Sequence, residues 1–222
     1  MKPANTGDRN QWTYSKRHLF TDRGFITIEG PVAKEIIEQF AICSGLNQFR
    51  QPVQQQASLV EIAALPEGLV YLAHIHNTIV GYVTFHSPQF ARWTNTGLDI
   101  LELGAIEVSR YWRDMGIAAA LIQIPFSTDF LEDKIIISLE CYWFWDLRGK
   151  RINTWQYRQL MQKLLEKGGF QTMITDDPDI CDHPANLLSV RFGSLVPKEI
   201  FPLFESVCYQ GKKENDPLIF SP

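Results

Sequence analysis

The stretch Val108-Ser109-Arg110-Tyr111-Trp112-Arg113-Asp114-Met115-Gly116-Ile117-Ala118 joins an apolar strand to an apolar helix through an Arg-x-x-Gly-x-Ala loop. In such a loop backbone N–H groups converge at a helix N-terminus, where unpaired donors and the helix dipole favour an anion, and Arg113 adds a fixed positive charge. Gly116 permits a positive φ and close approach by a ligand. A pyrophosphate suits this description, and so does a simple strand-to-helix turn, so the flanking residues carry the decision.

Upstream, 98–108 reads as a strand that contains Gly104. A glycine inside a strand marks a bulge or a close approach of a ligand or another chain to the backbone. Downstream, 116–124 is apolar all round and predicts a buried helix. A β-branched strand follows over 134–140, then an amphipathic helix over 153–167 with Tyr157, Leu160, Met161, Leu164 and Leu165 on one face, and a strand over 170–175. Toward the N-terminus, 12–20 and 25–29 flank the turn Thr21-Asp22-Arg23-Gly24 as a hairpin. Pro31 opens a helix with Val32, Ile36, Ile37 and Phe40 on one face, and a second helix covers 53–65. A second hairpin pairs 69–75 with 78–85 across His76-Asn77, and 87–97 reads as a loop. The first half is thus mostly antiparallel and the second βαβ-like. The expected class is α/β (α+β): a mixed, mostly antiparallel sheet, splayed near the bulge, flanked by helices and followed by a C-terminal extension.

The chain has 222 residues, is 45% hydrophobic and 21% charged, and carries a formal net charge of -4. That length can bury a full core, and the charge gives no general attraction to nucleic acid or anionic membranes, so neither is expected as a partner. One domain over 12–210 is expected, with a flexible leader over 1–11 and a tail over 211–222. The leader lacks the apolar core of a signal peptide, and no apolar run reaches the ~20 residues of a membrane span. Cys43, Cys141, Cys181 and Cys208 are irregularly spaced without a Cys-x-x-Cys pair, which suits free thiols in a reducing cytoplasm. His74 and His76 are expected on one strand face with no third ligand nearby, so no metal site is expected.

Val108, Arg113, Gly116 and Ala118 keep the Val-x-Pro-x-x-Arg-Gly-x-Gly-x-Gly/Ala pattern of the GNAT superfamily of N-acetyltransferases, which the chain resembles; Arg110 replaces the proline and Asp114 the first glycine. Asp114 is expected to turn its side chain to solvent and keep its N–H for the ligand. Over about residues 19–194 the chain further resembles the acetoin-utilisation protein acetyltransferases. The segments concerned are Ile28-Glu29-Gly30-Pro31, Leu65-Pro66-Glu67-Gly68, Glu102-Leu103-Gly104-Ala105-Ile106-Glu107-Val108, Tyr142-Trp143-Phe144-Trp145-Asp146-Leu147, Thr175-Asp176-Asp177-Pro178 and His183-Pro184-Ala185-Asn186. That resemblance implies acetyl-CoA as co-substrate and, as protein partner, AMP-forming acetyl-CoA synthetase, inactivated by acetylation of a lysine.

The resemblance also assigns roles. Ala105, Ile106 and Val108 would offer backbone groups to the pantetheine arm as a neighbouring strand would, and Arg113, Asp114, Met115, Gly116, Ile117 and Ala118 would hold the pyrophosphate. A lysine with a pKa of ~10.4 must lose a proton before attack, which calls for a base. Glu102, eleven residues before Arg113, matches the general-base glutamate of protein-acetylating relatives. Partial burial would raise its pKa toward neutrality; the competing reading is a solvated strand-edge carboxylate, and Glu107 is the second candidate. Leu165 stands where many relatives have an acidic tyrosine, leaving Tyr157 and Tyr142 as substitutes or packed aromatics, or no dedicated acid at all. Tyr142-Trp143-Phe144-Trp145 would line the acceptor channel, dock a partner or pack in the core. Asp176-Asp177-Pro178 would cap the next segment or face a basic patch, and His183 would start a helix. Two other functions remain open: a non-catalytic regulator that clamps the synthetase in response to acyl-CoA, and an acetyltransferase for a small amine.

Overall fold

A computed structural model describes residues 13–210, so the leader and the tail lie outside the described residues. The elements are β1 (Ser15–Thr21), β2 (Gly24–Gly30), α1 (Lys34–Gln39), β3 (Ala41–Ile42), α2 (Pro52–Ala64), β4 (Leu69–Ile75), β5 (Thr78–His86), α3 (Ala91–Thr94), β6 (Ile100–Val108), α4 (Ile117–Gln123), β7 (Ile135–Glu140), α5 (Leu147–Lys150), α6 (Thr154–Glu166), β8 (Gln171–Met173), α7 (Pro178–Cys181), β9 (Leu187–Phe192) and α8 (Ile200–Cys208). The strands form one sheet in the order β1-β2-β4-β5-β6-β7-β9-β8, with β3 beside β5. Along that order every neighbouring pair is antiparallel except β6 and β7. This is the mixed, mostly antiparallel architecture expected, with α4 as the crossover of the parallel pair.

Helices cover both faces of β4 and β5, which explains why these strands read as continuous apolar runs. On one face Val70, Leu72, Ile79 and Tyr82 pack with Ile37 of α1 and with Leu59 and Ala63 of α2. On the other, Leu69, Tyr71, Val83 and Phe85 pack with Ile117, Ala120 and Leu121 of α4 and Leu165 of α6. A third cluster, Trp93, Ile100, Ile137, Leu188, Val190 and Phe204, closes the far end under α8.

The splay has a visible origin. The β5–β6 register runs Thr84↔Ala105 and then Phe85↔Leu103, leaving Gly104 as the extra residue of a bulge. On the other edge β6 pairs β7 only from Ile100↔Ile135 to Glu102↔Ile137. Beyond that point β6 runs on to Val108 and β7 to Glu140 without pairing to each other, and the two strands part.

Some expectations need correction. The first helix starts at Lys34 rather than Pro31, and Ile36 faces solvent while Val32 and Ile37 are buried, because the short helix turns only part of that pattern toward the sheet. The segment 87–97 contains α3, fixed by the buried Trp93. His76 lies in the hairpin turn with φ 50° and does not share a strand face with His74, whose Nδ1 meets the His76 carbonyl. His183 follows α7 and starts no helix; its Nδ1 accepts from the Ala185 N–H at 3.1 Å. The strand expected over 170–175 is only Gln171–Met173. Asp177 caps α7 by accepting from the Asp179 N–H at 3.0 Å and is buried, and Asp176 pairs with Arg92 of α3.

Candidate functional site

The parting of β6 and β7 opens a cavity of about 600 Å³, lined on one side by Leu103–Val108 and on the other by Leu139, Glu140 and Cys141. Strand β6 spends one edge on β5, so from Leu103 onward its other edge faces this cavity. An extended amide-bearing chain laid there would find strand-like partners.

At the end of β6 the chain turns into α4. Asp114 (φ 63°) and Gly116 (φ 77°) are both left-handed, the backbone conformation from which anion-binding nests are built when it alternates with right-handed residues. The φ value explains why glycine suits position 114 and why aspartate is tolerated there, since a short polar side chain enters that region more readily than most. The Asp114 side chain is 88% exposed and lies 3.4 Å from Lys150 Nζ, so it turns to solvent as expected. Replacing Asp114 with Gly removes a negative charge beside the nest and the strain of a left-handed side chain. Acetyl-CoA affinity should then rise a few-fold in calorimetry, and a weaker affinity would contradict the loop's role.

Ala105, Ile106, Val108, Arg113, Asp114, Gly116, Ile117 and Ala118 all line the cavity. Met115 turns its side chain into the core and has only its backbone to offer. Arg113 is less free than the sequence implies. Its Nη1 donates to Asp146 Oδ2 at 2.8 Å and its Nε to the Val108 carbonyl at 3.3 Å. Burial alone would raise the Asp146 carboxyl, but the hydrogen bonds from Arg113 and the Gly149 N–H outweigh it and hold the group below its ordinary value. The guanidinium is therefore a clamped cation, aligned by Asp146 and partly balanced by it.

Glu102 does not line the cavity. It sits at the point where β6 and β7 part, on the far side of Gly104, paired with His86 on β5. Burial pushes its carboxyl above the ordinary range, while the neighbouring His86 and the Gln89 N–H pull the other way. Its Oε2 is buried with no hydrogen-bond partner, so the group is not the solvated carboxylate of the competing reading. Glu107 is also raised by burial, yet both its oxygens are occupied: Tyr82 Oη donates at 2.6 Å and the Gln48 N–H at 2.9 Å. That carboxyl fastens the 45–50 loop to the sheet. Of the two, only Glu102 has an oxygen free to take a proton.

Of the two tyrosines, Tyr157 lines the cavity and stacks on Trp145, with ring centroids 5.1 Å apart. Burial raises its pKa, and it accepts a hydrogen bond from the Asp146 backbone. Tyr142 instead packs on Trp143 and His183. The aromatic run divides accordingly: Phe144 and Trp145 line the cavity, while Trp143 is half exposed. Sequence reading missed Glu140, which Ser138 and Trp145 hold in the cavity wall, and Gln48, whose Nε2 donates to the Phe144 carbonyl at 2.9 Å across the mouth. It also missed Gln156, Gln159, Lys163 and Lys167 along one face of α6 and its end. Their three- and four-residue spacing was a usable signal. Among the described residues no group of three or more His, Cys, Asp or Glu is placed to hold a metal ion, and no helix is long and apolar enough to cross a membrane.

An antiparallel sheet opened by one parting parallel pair, with a nest between strand and crossover helix, is the fold of the GNAT acetyltransferases. The GNAT domain of S. lividans PAT superposes with a TM-score of 0.50 at 12% identity, covering 86% of this chain and 98% of that one. No family model matches the chain. Whole relatives do: it is 37% identical over 202 residues to the acetoin utilization protein AcuA of Bacillus licheniformis, covering 90% of this chain and 96% of that protein. Against AcuA of Bacillus subtilis it is 38% identical over 195 residues, covering 87% and 93%. The crystal structure of an acetoin utilization protein from Exiguobacterium sibiricum superposes with a TM-score of 0.88 at 39% identity, covering 92% of this chain and 98% of that one. The chain belongs to the AcuA family of acetoin utilization proteins.

Proposed function

We propose that this chain, with 12–210 acting as one domain, is a cytoplasmic acetyl-CoA-dependent lysine N-acetyltransferase. Its protein substrate would be AMP-forming acetyl-CoA synthetase, inactivated by the transfer. The observation that carries the chemistry is the buried Glu102 carboxyl with one free oxygen, set beside the open edge of β6. Acetyl-CoA fits the site: the nest at 114–116 and the clamped Arg113 suit its pyrophosphate, and the unpaired edge of Leu103–Val108 suits its pantetheine amides. Lys150, Lys163 and Lys167 add positive charge around the same cavity. No metal is required.

The protein's own groups account for each transfer. Glu102 takes a proton from the lysine ammonium, freeing the nitrogen lone pair. Nitrogen then bonds to the thioester carbonyl carbon, and strand N–H groups stabilise the charge that builds on its oxygen. The C–S bond breaks, the sulfur leaves with the electron pair, and the Tyr157 hydroxyl, kept protonated by burial, supplies its proton. The nitrogen gives up its second proton to restore the Tyr157 hydroxyl, and Glu102 releases the first to solvent, so one ammonium and one thioester give one amide, one thiol and one released proton.

Thiol release tests this reading. With acetyl-CoA and the purified synthetase, free thiol should appear in step with radiolabel on the synthetase. Thiol release without label on any amine would overturn it.

A further inference from the structure

Five rings run along the surface from the mouth of the cavity. Between ring centroids, Phe144 stands 5.9 Å from Trp143, Trp143 5.5 Å from Tyr142, Tyr142 4.2 Å from His183, and His183 6.5 Å from Trp155. Phe144, Trp143 and Trp155 are each about half exposed, and Phe49, across the mouth, is exposed nearly as much. At ~200 Å² per aromatic side chain, these four leave on the order of 400 Å² of apolar surface in water, as much as the largest patch on a typical monomer, and such patches mark interaction sites. Packing in the core accounts for none of this exposure.

The ridge starts at the end of the cavity away from the phosphate loop. Glu107 and Tyr82 belong to the face of the sheet covered by α1 and α2, where Glu107 holds the 45–50 loop, whereas the 113–118 loop and α6 lie on the α4 face. The cavity therefore runs between the parted strands from one face to the other, with Phe49 and Phe144 at the end open to an acceptor. Beside the ridge, Asp179 and Asp182 are exposed and pair with no cation among the described residues. Both lie close enough to Cys141, at the foot of the ridge, to push its thiol up further after burial has done most of it. The cations nearby are placed otherwise: Arg158 turns Nη1 inward to the Pro184, Ala185 and Asn186 carbonyls, and Arg50 stands next to Phe49 on the opposite lip. A small amine would leave the rings bare, and a second copy of this chain seated on them would close the mouth. We propose that the ridge from Phe144 to Trp155 docks the polypeptide that carries the acceptor lysine, with apolar side chains on the rings and a basic flank against Asp179 and Asp182. The inference rests on the transferase reading and adds the acceptor's docking surface to it.

Steady-state transfer to the purified synthetase and to Nα-acetyl-lysine amide, which offers the amine without the polypeptide, provides the test. Trp143→Ala and Trp155→Ala remove half-exposed rings that lie outside the cavity wall. Each should raise KM for the synthetase about tenfold or more, as truncation of an interface tryptophan does, with kcat, acetyl-CoA affinity and KM for the amide at wild-type values. Asp182→Lys should raise the synthetase KM several-fold and flatten its rise with salt. A synthetase KM unchanged in the double variant Trp143→Ala, Trp155→Ala overturns the proposal. An equal rise for the amide also overturns it, by making the ridge part of the cavity, as does a wild-type dimer that the double variant breaks. If the chain transfers acetyl to neither acceptor, calorimetric titration with the synthetase decides. Binding lost in the double variant upholds the docking surface and removes the transferase reading; binding that is absent, or unchanged in the variant, removes the docking surface as well.

Discussion

Glu102→Gln is expected to slow acetyl transfer by about 10²- to 10⁴-fold, the range over which a positioned general base contributes, with acetyl-CoA affinity unchanged. Gln keeps the size of the side chain and the hydrogen bond to the Gln89 N–H but cannot take a proton from the acceptor. In the wild type kcat/KM should rise with pH through a carboxyl pKa lying above the ordinary value, because burial favours the protonated form and only the ionised form is a base. Stability should move the opposite way. A carboxyl whose folded pKa is raised is stable as the neutral acid below its unfolded pKa, and that contribution is lost as pH climbs through the folded value. Glu102→Gln should therefore raise Tm relative to wild type at pH 8 and leave it nearly unchanged at pH 4. Full activity in the variant would remove Glu102 from the chemistry.

Arg113→Ala is expected to weaken acetyl-CoA binding by roughly 10- to 100-fold, the scale of a lost charge-assisted hydrogen bond in a partly buried site. The effect has two parts. The loop loses its neighbouring cation, and Asp146, bonded to Arg113 at 2.8 Å, keeps the Gly149 N–H but loses the guanidinium that balances its negative charge beside the loop. Arg113→Lys should recover only part of the affinity, because an ammonium cannot serve both Asp146 and the Val108 carbonyl with the geometry of a guanidinium. Calorimetry reads both variants, and an unchanged Kd in Arg113→Ala would show that the loop holds no pyrophosphate.

What the sequence disclosed and what it withheld follow from the range of the interactions. The hairpins, α2, α4 and α6 were legible because their signals are local: turn residues, a proline, an apolar period. The bulge at Gly104 was legible for the same reason. Strand β9 was not, because it enters the sheet between β7 and β8, out of chain order, and only long-range pairing defines it. Within the site, the loop and Glu102 stood out through spacing along one segment. The clamp of Arg113 by Asp146 joins residues 33 apart, and the Gln48 contact to Phe144 spans 96. No periodicity reports such pairs. Glu102 and Glu107 looked alike as strand glutamates, and only their hydrogen-bond partners separate an open carboxyl from a structural one.

The most direct measurement is intact-protein and peptide mass spectrometry of purified AMP-forming acetyl-CoA synthetase after incubation with this chain and isotopically labelled acetyl-CoA. Catalytic transfer predicts one labelled acetyl group on one synthetase lysine, loss of synthetase activity in proportion to the label, and neither change with Glu102→Gln. Inhibition that leaves the synthetase unlabelled and reverses on dilution would contradict it and make the chain an acyl-CoA-responsive clamp instead of an enzyme.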